Sequence, residues 1–449
     1  MTTEVNPEDL VGLENGDLII EGKTKKVLQA KNKKGILPGY VIVENKPDLT
    51  ANDDKKLTRQ FPNKVRYATA TACGVFELLE ACGIPTAYVK QLSETSFLMK
   101  SSKMIPLEIV ARRYAVGSYL KRHPELITED AKKPHRFHRL ETEFFLKTTD
   151  RKFGNIISNL ETDDPLIINP SSSTSLIRQL AHPKKPSWEG SEFPQTISLA
   201  NILASTNKSE AEEKMVELDL LARKVFLVLE KAWANLGLDL IDIKIEVDSE
   251  GRVSDVVDND SWRLWLNGEQ LDKQVFRDKG GAALDEIEKK YGQVAELVKQ
   301  LTIPEQALIF WRGSTSDPLP EIPTLRGVTI VNIDMSGHKT TVESLKRAEK
   351  IFSTFPQGGV FVCEVGRSNG LGPILASHVP WPVISCPATL KEFPNDIWSS
   401  LRMPSDVPLL AAWPEANAVN AALGILAQTN PEVYAHLQLK RESMDNYIV

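Results

Sequence analysis

Met215, Leu218, Leu221, Val225, Leu229, Trp233 and Leu236 recur at steps of three and four, the apolar stripe of one long helix that Gly237 ends. Upstream the pattern is shorter and mixed. Asp17 to Ile20, Lys26 to Ala30 and Tyr40 to Val43 read as short strands, Lys64 to Cys82 as a helix, and Thr86 to Gln91 and Met104 to Arg112 as strands again. This predicts an α+β lobe over about Asp17 to Thr148. From Thr149 to Asn207 no period persists, and SNLETDDPLIINPSSSTS and HPKKPSWEGSEFP collect Ser, Pro, Asn and Asp. That stretch is expected to be a long surface insertion, partly mobile.

A second regime follows the amphipathic pattern of Leu284 to Leu301. Apolar strands at Ala307 to Trp311, Val328 to Ile333, Gly359 to Val365 and Pro382 to Ser385 alternate with helical patterns such as Thr341 to Phe352 and Ala416 to Gln428. The alternation predicts a mostly parallel sheet covered by helices. The expected domains are residues 13–302, with the insertion at about 149–207, and residues 303–449.

The segment LIDIKIEVDSEGRVSDVVD holds the densest charge pattern. Ile241, Ile243, Ile245 and Val247 alternate with Asp242, Lys244 and Glu246 at period two, so the three charges share one sheet face. Asp248-Ser249-Glu250-Gly251 has turn chemistry, and Arg252 to Asp258 should return antiparallel. With a symmetric turn Val247 pairs with Arg252 and Lys244 lies opposite Asp255, which sets Asp255 on the face of Glu246; a one-residue bulge would undo this. Two carboxylates near a lysine suit Mg²⁺ with a substrate phosphate. The alternative is the solvated face of a half-buried hairpin. Just beyond, Asp258 and Asp260 precede Arg263.

Composition narrows the partners. The chain has 449 residues, 41% apolar and 25% charged, with a net charge of -6, which suits a globular protein of two or three domains and gives no support to a nucleic-acid surface. The cysteines Cys73, Cys82, Cys363 and Cys386 form no CxxC pair, so neither a disulfide framework nor a zinc site is expected. No stretch approaches 18 consecutive apolar residues, and the acidic N-terminus lacks a signal-peptide pattern. No membrane association is expected, and the default setting is the cytoplasm.

Other stretches have the chemistry to hold phosphates. LIIEGKTKKVL joins two short strands through a glycine turn bearing Lys23, Lys25 and Lys26, which suits a triphosphate or is simply solvated. MIPLEIVARRYAVGSYLKR runs a strand into Arg112, Arg113, Gly117, Ser118, Lys121 and Arg122, a phosphate-monoester site or a basic turn. In the second regime WRGSTSD, SGHK and GRSNGLGP each follow an apolar strand, so all three loops should meet at one sheet edge. His338 is the imidazole among them, suited to carrying a proton.

Together the ordered motifs resemble a family. EGKTKKV, MIPLE, RRYAVGSYLKR, DIKIE, DNDSWRLW and DKQVFR are similar to phosphoribosylaminoimidazole-succinocarboxamide (SAICAR) synthase, and GSTSD, GRSNGLGP, PVISCP and WSSLRMPS to a class II phosphoribosylaminoimidazole (AIR) carboxylase. The chain thus resembles the animal bifunctional enzymes that join the two. The resemblance implies a two-lobed ATP-grasp/kinase-like α+β domain followed by a flavodoxin-like three-layer α/β/α domain. It implies carboxylation of AIR with CO₂ to carboxyaminoimidazole ribonucleotide (CAIR) without biotin or ATP. CAIR would then be joined to L-aspartate using ATP and Mg²⁺. A homo-octamer through the second domain is implied as well.

Residue by residue, the resemblance assigns Lys23, Lys25, Glu108 and Glu246 to ATP, and Glu246 and Asp255 to the metal. Arg112, Ser118, Asp242, Lys244, Arg263 and Arg277 would bind CAIR, with Lys244 also catalytic and Asp258 and Asp260 shaping the turn that presents Arg263. In the carboxylase, His338 would transfer the proton, and Ser314, Asp317, Ser336, Lys339, Gly366, Arg367, Ser368 and Asn369 would line the pocket. The sequence departs from the family in three places. Lys147-Thr148-Thr149 stands for the family's Lys-Asp-Asp, PLPEIP stands where the first carboxylase helix belongs, and SGHK replaces SAHK. An alternative therefore leaves only the synthase active and makes the second domain a non-catalytic oligomerisation core.

Overall fold

The computed structural model describes residues 7–22, 24–50, 58–60, 63–149, 151–155, 157–158, 164–168, 177–183, 195–205, 207–272, 284–315, 317, 319–366 and 368–444. It divides into two units, Met1–Leu301 and Thr302–Val449.

Unit 1 begins with strands β1 (Glu14–Glu21), β2 (Lys25–Asn32) and β3 (Gly35–Asn45), helix α1 (Lys64–Ala81), and strands β4 (Tyr88–Gln91) and β5 (Ser96–Lys100). The strands form an antiparallel sheet in the order β1-β2-β3-β5-β4. Phe76 of α1 packs on Tyr88 and Phe97, with ring centroids 5.5 and 6.3 Å away, so the helix covers the sheet through aromatic contact.

A second sheet follows from β6 (Leu107–Tyr114), helix α2 (Ser118–Arg122), β7 (Arg136–Leu146), β8 (Leu166–Ile168), β9 (Ile177–Ala181) and β10 (Gln195–Ser198). Helix α3 (Lys208–Ala234), β11 (Asp239–Ile245), β12 (Trp262–Leu266), β13 (Glu269–Gln270) and helix α4 (Leu284–Val298) complete the unit. The strand order is β10-β9-β8-β7-β6-β11-β12-β13. The apolar stripe of α3 lies on this sheet, with Trp233 edge-on to Trp262 at 5.6 Å. Asn207 caps its start by accepting from Glu210 N at 3.0 Å, and Gly237 at φ 80° turns the chain after its end.

The insertion departs from expectation. Three of its described strands lengthen the second sheet, β8 pairing with β7 through Leu166 with Phe145 and Ile167 with Phe144, and β9 and β10 adding outward. Leu180, Ile197 and Leu199 are buried. At three to five residues each, these strands are too short to show a period among the polar residues that separate them.

Unit 2 contains β14 (Gln306–Arg312), β15 (Val328–Asp334), α5 (Thr341–Thr354), β16 (Gly359–Val365), α6 (Leu371–His378), β17 (Val383–Pro387), β18 (Leu409–Ala411), α7 (Glu415–Leu426) and α8 (Pro431–Met444). The strands are parallel and ordered β15-β14-β16-β17-β18, the doubly wound flavodoxin-like order. Alternation sorts the core into two faces. Leu308, Phe310, Val360, Val362 and Ile384 meet α7 and α8, while Ile309, Trp311, Phe361, Cys363 and Val383 meet α5 and α6. The result is three layers, α/β/α. Between β14 and β15 no helix forms among the described residues. The proline-bearing coil packs Ile322 and Leu325 on the α7 face instead, as PLPEIP foreshadows.

Candidate functional site

Adjacent side chains on β6 point to opposite faces, and this separates the two arginines of the basic motif. Arg113 is fully buried and forks onto Glu230 of α3 at 2.7 and 3.1 Å, a structural tie. Arg112 turns the other way, its Nε donating to Glu143 at 2.7 Å and its Nη1 to Asp242. Asp242 also accepts from Arg263, and Glu143 from Arg122. Burial works against the charge on Arg112, but Asp242 and Glu143 outweigh it and raise its pKa. Three guanidiniums sharing two carboxylates leave a positive surplus, suited to an anionic substrate.

Gly117 makes room for this wall. Its φ of 62° and ψ of -131° lie in a region that glycine alone occupies readily, and a methyl on it would sit 2.5 Å from Arg263 Nη2. Ser118 follows directly as the first residue of α2. Beside Arg263 a mostly apolar cavity of about 240 Å³ is lined by residues such as Val116, Gly117, Leu120, Ile127 and Trp265.

Beside this wall lies a second, alternating set of charges, drawn from both sheets of the unit. Lys244 Nζ donates to Glu108 at 2.9 Å, Lys147 Nζ donates to Glu246 at 2.6 Å, and Lys25 forms an ion pair with Asp255. Two of these lysines also reach across, Lys147 to Glu108 and Lys244 to Glu246, both at 3.8 Å. Desolvation pulls the Lys25 pKa down to about 8, opposed by Glu246 and Asp258 and reinforced by Lys244 and Lys147. Burial also works against Lys244, yet Glu108 and Glu246 outweigh it and raise its pKa. Charges held this close respond to a change in any one of them.

The expected hairpin register is not found. Val247 bridges Val253 rather than Arg252, Ser254 N donates to Glu246 O at 3.0 Å, and Asp255 faces Lys25 instead of lying across from Lys244. The cause is Asp248. Its carboxylate accepts from the backbone of Glu250 at 3.0 Å and Arg252 at 2.9 Å and from Arg252 Nε at 2.7 Å, which draws one more residue into the loop. The return segment forms no strand there, and β11 pairs with β12 instead, Asp242 opposite Arg263. Nor is the charged face solvated, since Asp242 and Glu246 are both only 5% exposed.

Asp258 and Asp260 divide differently from the expectation that both shape a turn. Asp258 does so, accepting from Asp260 N at 2.9 Å, and burial with repulsion from Asp260 pushes its pKa up to about 6. Asp260 instead ties two helices, holding Lys64 of α1 at 2.9 Å and accepting from Tyr291 of α4 at 2.9 Å. Lys23 and Arg277 lie outside the described residues. Glu143 was missed by motif reading, although the period-two pattern of RFHRLETEFFL would have placed it on a strand face. Lys147 was noted only as the lysine of the segment that stands for the family's Lys-Asp-Asp, not as a partner of Glu246.

In unit 2 the parallel sheet delivers the three expected loops to one edge. Ser314 N donates to Asp317 Oδ2 at 3.0 Å after β14, and Arg312 holds the carbonyl of Asp317 at 2.7 Å. After β15, Ser336 Oγ lies 3.4 Å from Lys339 N. His338 is exposed on this loop with its ring against Gly370, where a methyl would come within 2.4 Å of Nε2. Gly337 has a reason of its own, since a methyl there would lie 2.8 Å from Leu371 Cα. After β16, Gly366 and Ser368 border open space, and Arg367 lies outside the described residues.

Asn369 departs from its expected part as a pocket contact. It is buried and held inside the unit, donating to Ser385 at 2.8 Å and Ser400 at 3.1 Å and accepting from Gly372 N at 2.9 Å. It fixes the loop on the start of α6. Sequence reasoning also missed Glu364, two positions before the loop. It is fully buried with neither oxygen hydrogen-bonded, and burial, then Glu415 and Asp317, push its pKa up to about 8 against the pull of Arg312.

SAICAR synthetase matches residues 18–170 and 194–294, and AIR carboxylase matches residues 324–447. The chain is 33% identical to the probable multifunctional protein ADE2 of Caenorhabditis elegans, over 96% of this chain and 95% of that one. It is 30% identical to the bifunctional phosphoribosylaminoimidazole carboxylase/phosphoribosylaminoimidazole succinocarboxamide synthetase of Homo sapiens, over 94% and 93%. Among solved structures, the phosphoribosylaminoimidazole-succinocarboxamide synthase of Ehrlichia chaffeensis covers 64% of this chain and 100% of its own, at 22% identity and a TM-score of 0.46. Treponema denticola PurE covers 32% and 94%, at 23% identity and a TM-score of 0.28.

Proposed function

The chain belongs to the family of bifunctional enzymes that join a SAICAR synthetase to an AIR carboxylase, and from that premise we propose how its own residues divide the two reactions. It is a ligase and a lyase of purine biosynthesis. In the ligase, ATP phosphorylates the CAIR carboxylate to an acyl phosphate, and the amine of L-aspartate displaces phosphate to give SAICAR. A carboxylate is a poor electrophile, so activation must come first, and cationic groups must offset the charge gathered there.

Lys23 and Lys25 face the ATP phosphates in this reading, with Glu108 and Glu246 on the same nucleotide side. Lys244 stands between substrate carboxylate and phosphate. Arg112, Ser118, Asp242, Arg263 and Arg277 bind CAIR, the surplus charge of the arginine wall meeting its phosphate. Glu246 and Asp255 would hold Mg²⁺. Each already has an ammonium group against it, so each offers an oxygen to a cation. When bound, the metal neutralises charge on the transferred phosphoryl group.

In the carboxylase, the electron-rich ring carbon of AIR attacks CO₂, and the proton on that carbon must leave to restore aromaticity. His338 takes it, with Ser314, Asp317, Ser336, Lys339, Gly366, Arg367 and Ser368 around the nucleotide and neither biotin nor ATP involved. A homo-octamer through unit 2 is part of this reading, supported by exposed Trp398, Leu401, Leu410 and Trp413. So is a cytoplasmic setting; no described helix is long and apolar enough to cross a membrane.

The observation that carries the proposal is the row of three lysine-carboxylate pairs beside the arginine wall. ADP release by the purified chain should require CAIR and L-aspartate together. Release without either substrate, or none with both, would overturn the assignment of unit 1. For unit 2, CAIR should form from AIR and CO₂ without ATP; a bare oligomerisation core would form none.

A further inference from the structure

Every carboxylate described above for the lysine row of unit 1 has a cationic partner in the structure. Glu108 holds Lys244, Glu246 holds Lys147, and Asp255 holds Lys25. Asp164 is different. It lies just before β8, within the segment that matches SAICAR synthetase, and its Oδ1 accepts from Thr148 N at 2.8 Å and Thr148 Oγ1 at 2.9 Å, both neutral donors. Asp164 is half-buried, and it acts electrostatically on Lys244 and is itself acted on by Lys147 and Glu108.

The fold explains how it arrives there. Leu166 pairs with Phe145 and Ile167 with Phe144, and Pro165 O accepts from Leu146 N at 2.9 Å. Continuing that register sets Asp164 across from Lys147, at the end of β7 where the lysine row begins. Thr148 then pins one carboxylate oxygen, while the approach to β8 brings the acid that the Lys147-Thr148-Thr149 sequence does not itself carry.

We propose that Asp164 is the carboxylate that receives the α-ammonium group of L-aspartate. The inference rests on the ligase reading of unit 1. A free amino acid enters as an ammonium ion at neutral pH and needs an acceptor whose charge is not already matched by a lysine. Oδ2 of a carboxylate fixed through Oδ1 meets that need and holds the nitrogen close to the lysine row. Burial, with repulsion from Glu108, raises the pKa of Asp164 against the bonds of Thr148 and the pull of Lys147, so an arriving cation favours its ionised form.

The test is steady-state ligation by the full chain, with L-aspartate, ATP and Mg²⁺ varied in turn. Asp164→Asn should raise KM for L-aspartate by about tenfold or more, as expected for loss of a charged hydrogen bond. The ATP KM and the half-saturating Mg²⁺ concentration should stay within about twofold of the parent, with CAIR formation by unit 2 unchanged. Thr148→Val keeps the carboxylate but removes one anchor, and should raise KM for L-aspartate by a few-fold. It also decides the matter should Asp164→Asn melt early. An unchanged KM for L-aspartate in these variants overturns the proposal, as does a change confined to Mg²⁺, which would make Asp164 a metal-side residue. If the parent chain itself forms no SAICAR, the ligase reading fails instead.

Discussion

Lys25 and Asp255 form an ion pair that joins strand β2 of the first sheet to the loop before β12 of the second. The pair sets an ammonium where the ligase reading places phosphates and metal. Asp255→Asn should therefore raise the Mg²⁺ concentration needed for half-maximal ligation by at least about tenfold, the scale on which metal sites respond to loss of an oriented partner. Carboxylation of AIR in the same preparation should be unaffected. A normal Mg²⁺ dependence in Asp255→Asn would remove this residue from the metal site.

Gly117 is a second point of leverage, because one substitution tests backbone and contact together. A methyl there must adopt a φ of 62° and approach Arg263 Nη2 to 2.5 Å. Gly117→Ala should cost about 1 to 3 kcal/mol of stability from backbone strain. Ligation should fall further as Arg263 is displaced from Asp242. Denaturant titration reads the first effect and KM for CAIR the second; a variant equal to the parent in both would show that the arginine wall adapts freely.

Glu364 makes stability depend on pH in an unusual direction. Its pKa is pushed up to about 8 in the folded chain from its ordinary value of 4.5, so between these values the folded state keeps a proton that the unfolded state has released. Stability conferred by that protonated acid is present below the lower value and is lost as pH rises toward the upper one. Glu364→Gln has no such proton to lose. Its denaturation midpoint should fall less than that of the parent between about pH 5 and pH 8.5. Equal pH slopes for the two proteins would mean that Glu364 is ionised and compensated at neutral pH.

How much of this could be read in advance follows from how local each signal is. The strands and helices of unit 2 were legible because a parallel sheet is built from long apolar runs, and Val360 to Cys363 is a continuous one. The alternation of Asp242, Lys244 and Glu246 was legible because a strand repeats at period two. Their partners were not. Lys147 reaches Glu246 from 99 positions away, and Lys64 reaches Asp260 from 196, through pairings that only the folded sheets create. The hairpin register failed over one side chain, Asp248, whose hydrogen bonds with the backbone lengthened the loop. Short strands in the insertion left no period to detect.

His338 and Gly370 allow the carboxylase to be tested without touching the ligase. Gly370 has φ -91° and ψ -29°, a conformation any residue adopts, so a side chain there is opposed only by what it meets. What it meets is the imidazole, 2.4 Å from the first added carbon. Gly370→Ala should therefore push His338 out of position, and His338→Asn should remove the proton acceptor while keeping a polar side chain. Loss of a positioned acid-base group typically costs about 10²- to 10⁴-fold in rate, and both variants should lose CAIR formation by at least about the lower figure. SAICAR formation from supplied CAIR should be retained in each. If Gly370→Ala is inactive but His338→Asn is not, the loop geometry matters and the imidazole does not carry the proton; if neither loses activity, proton removal belongs to another group at this sheet edge.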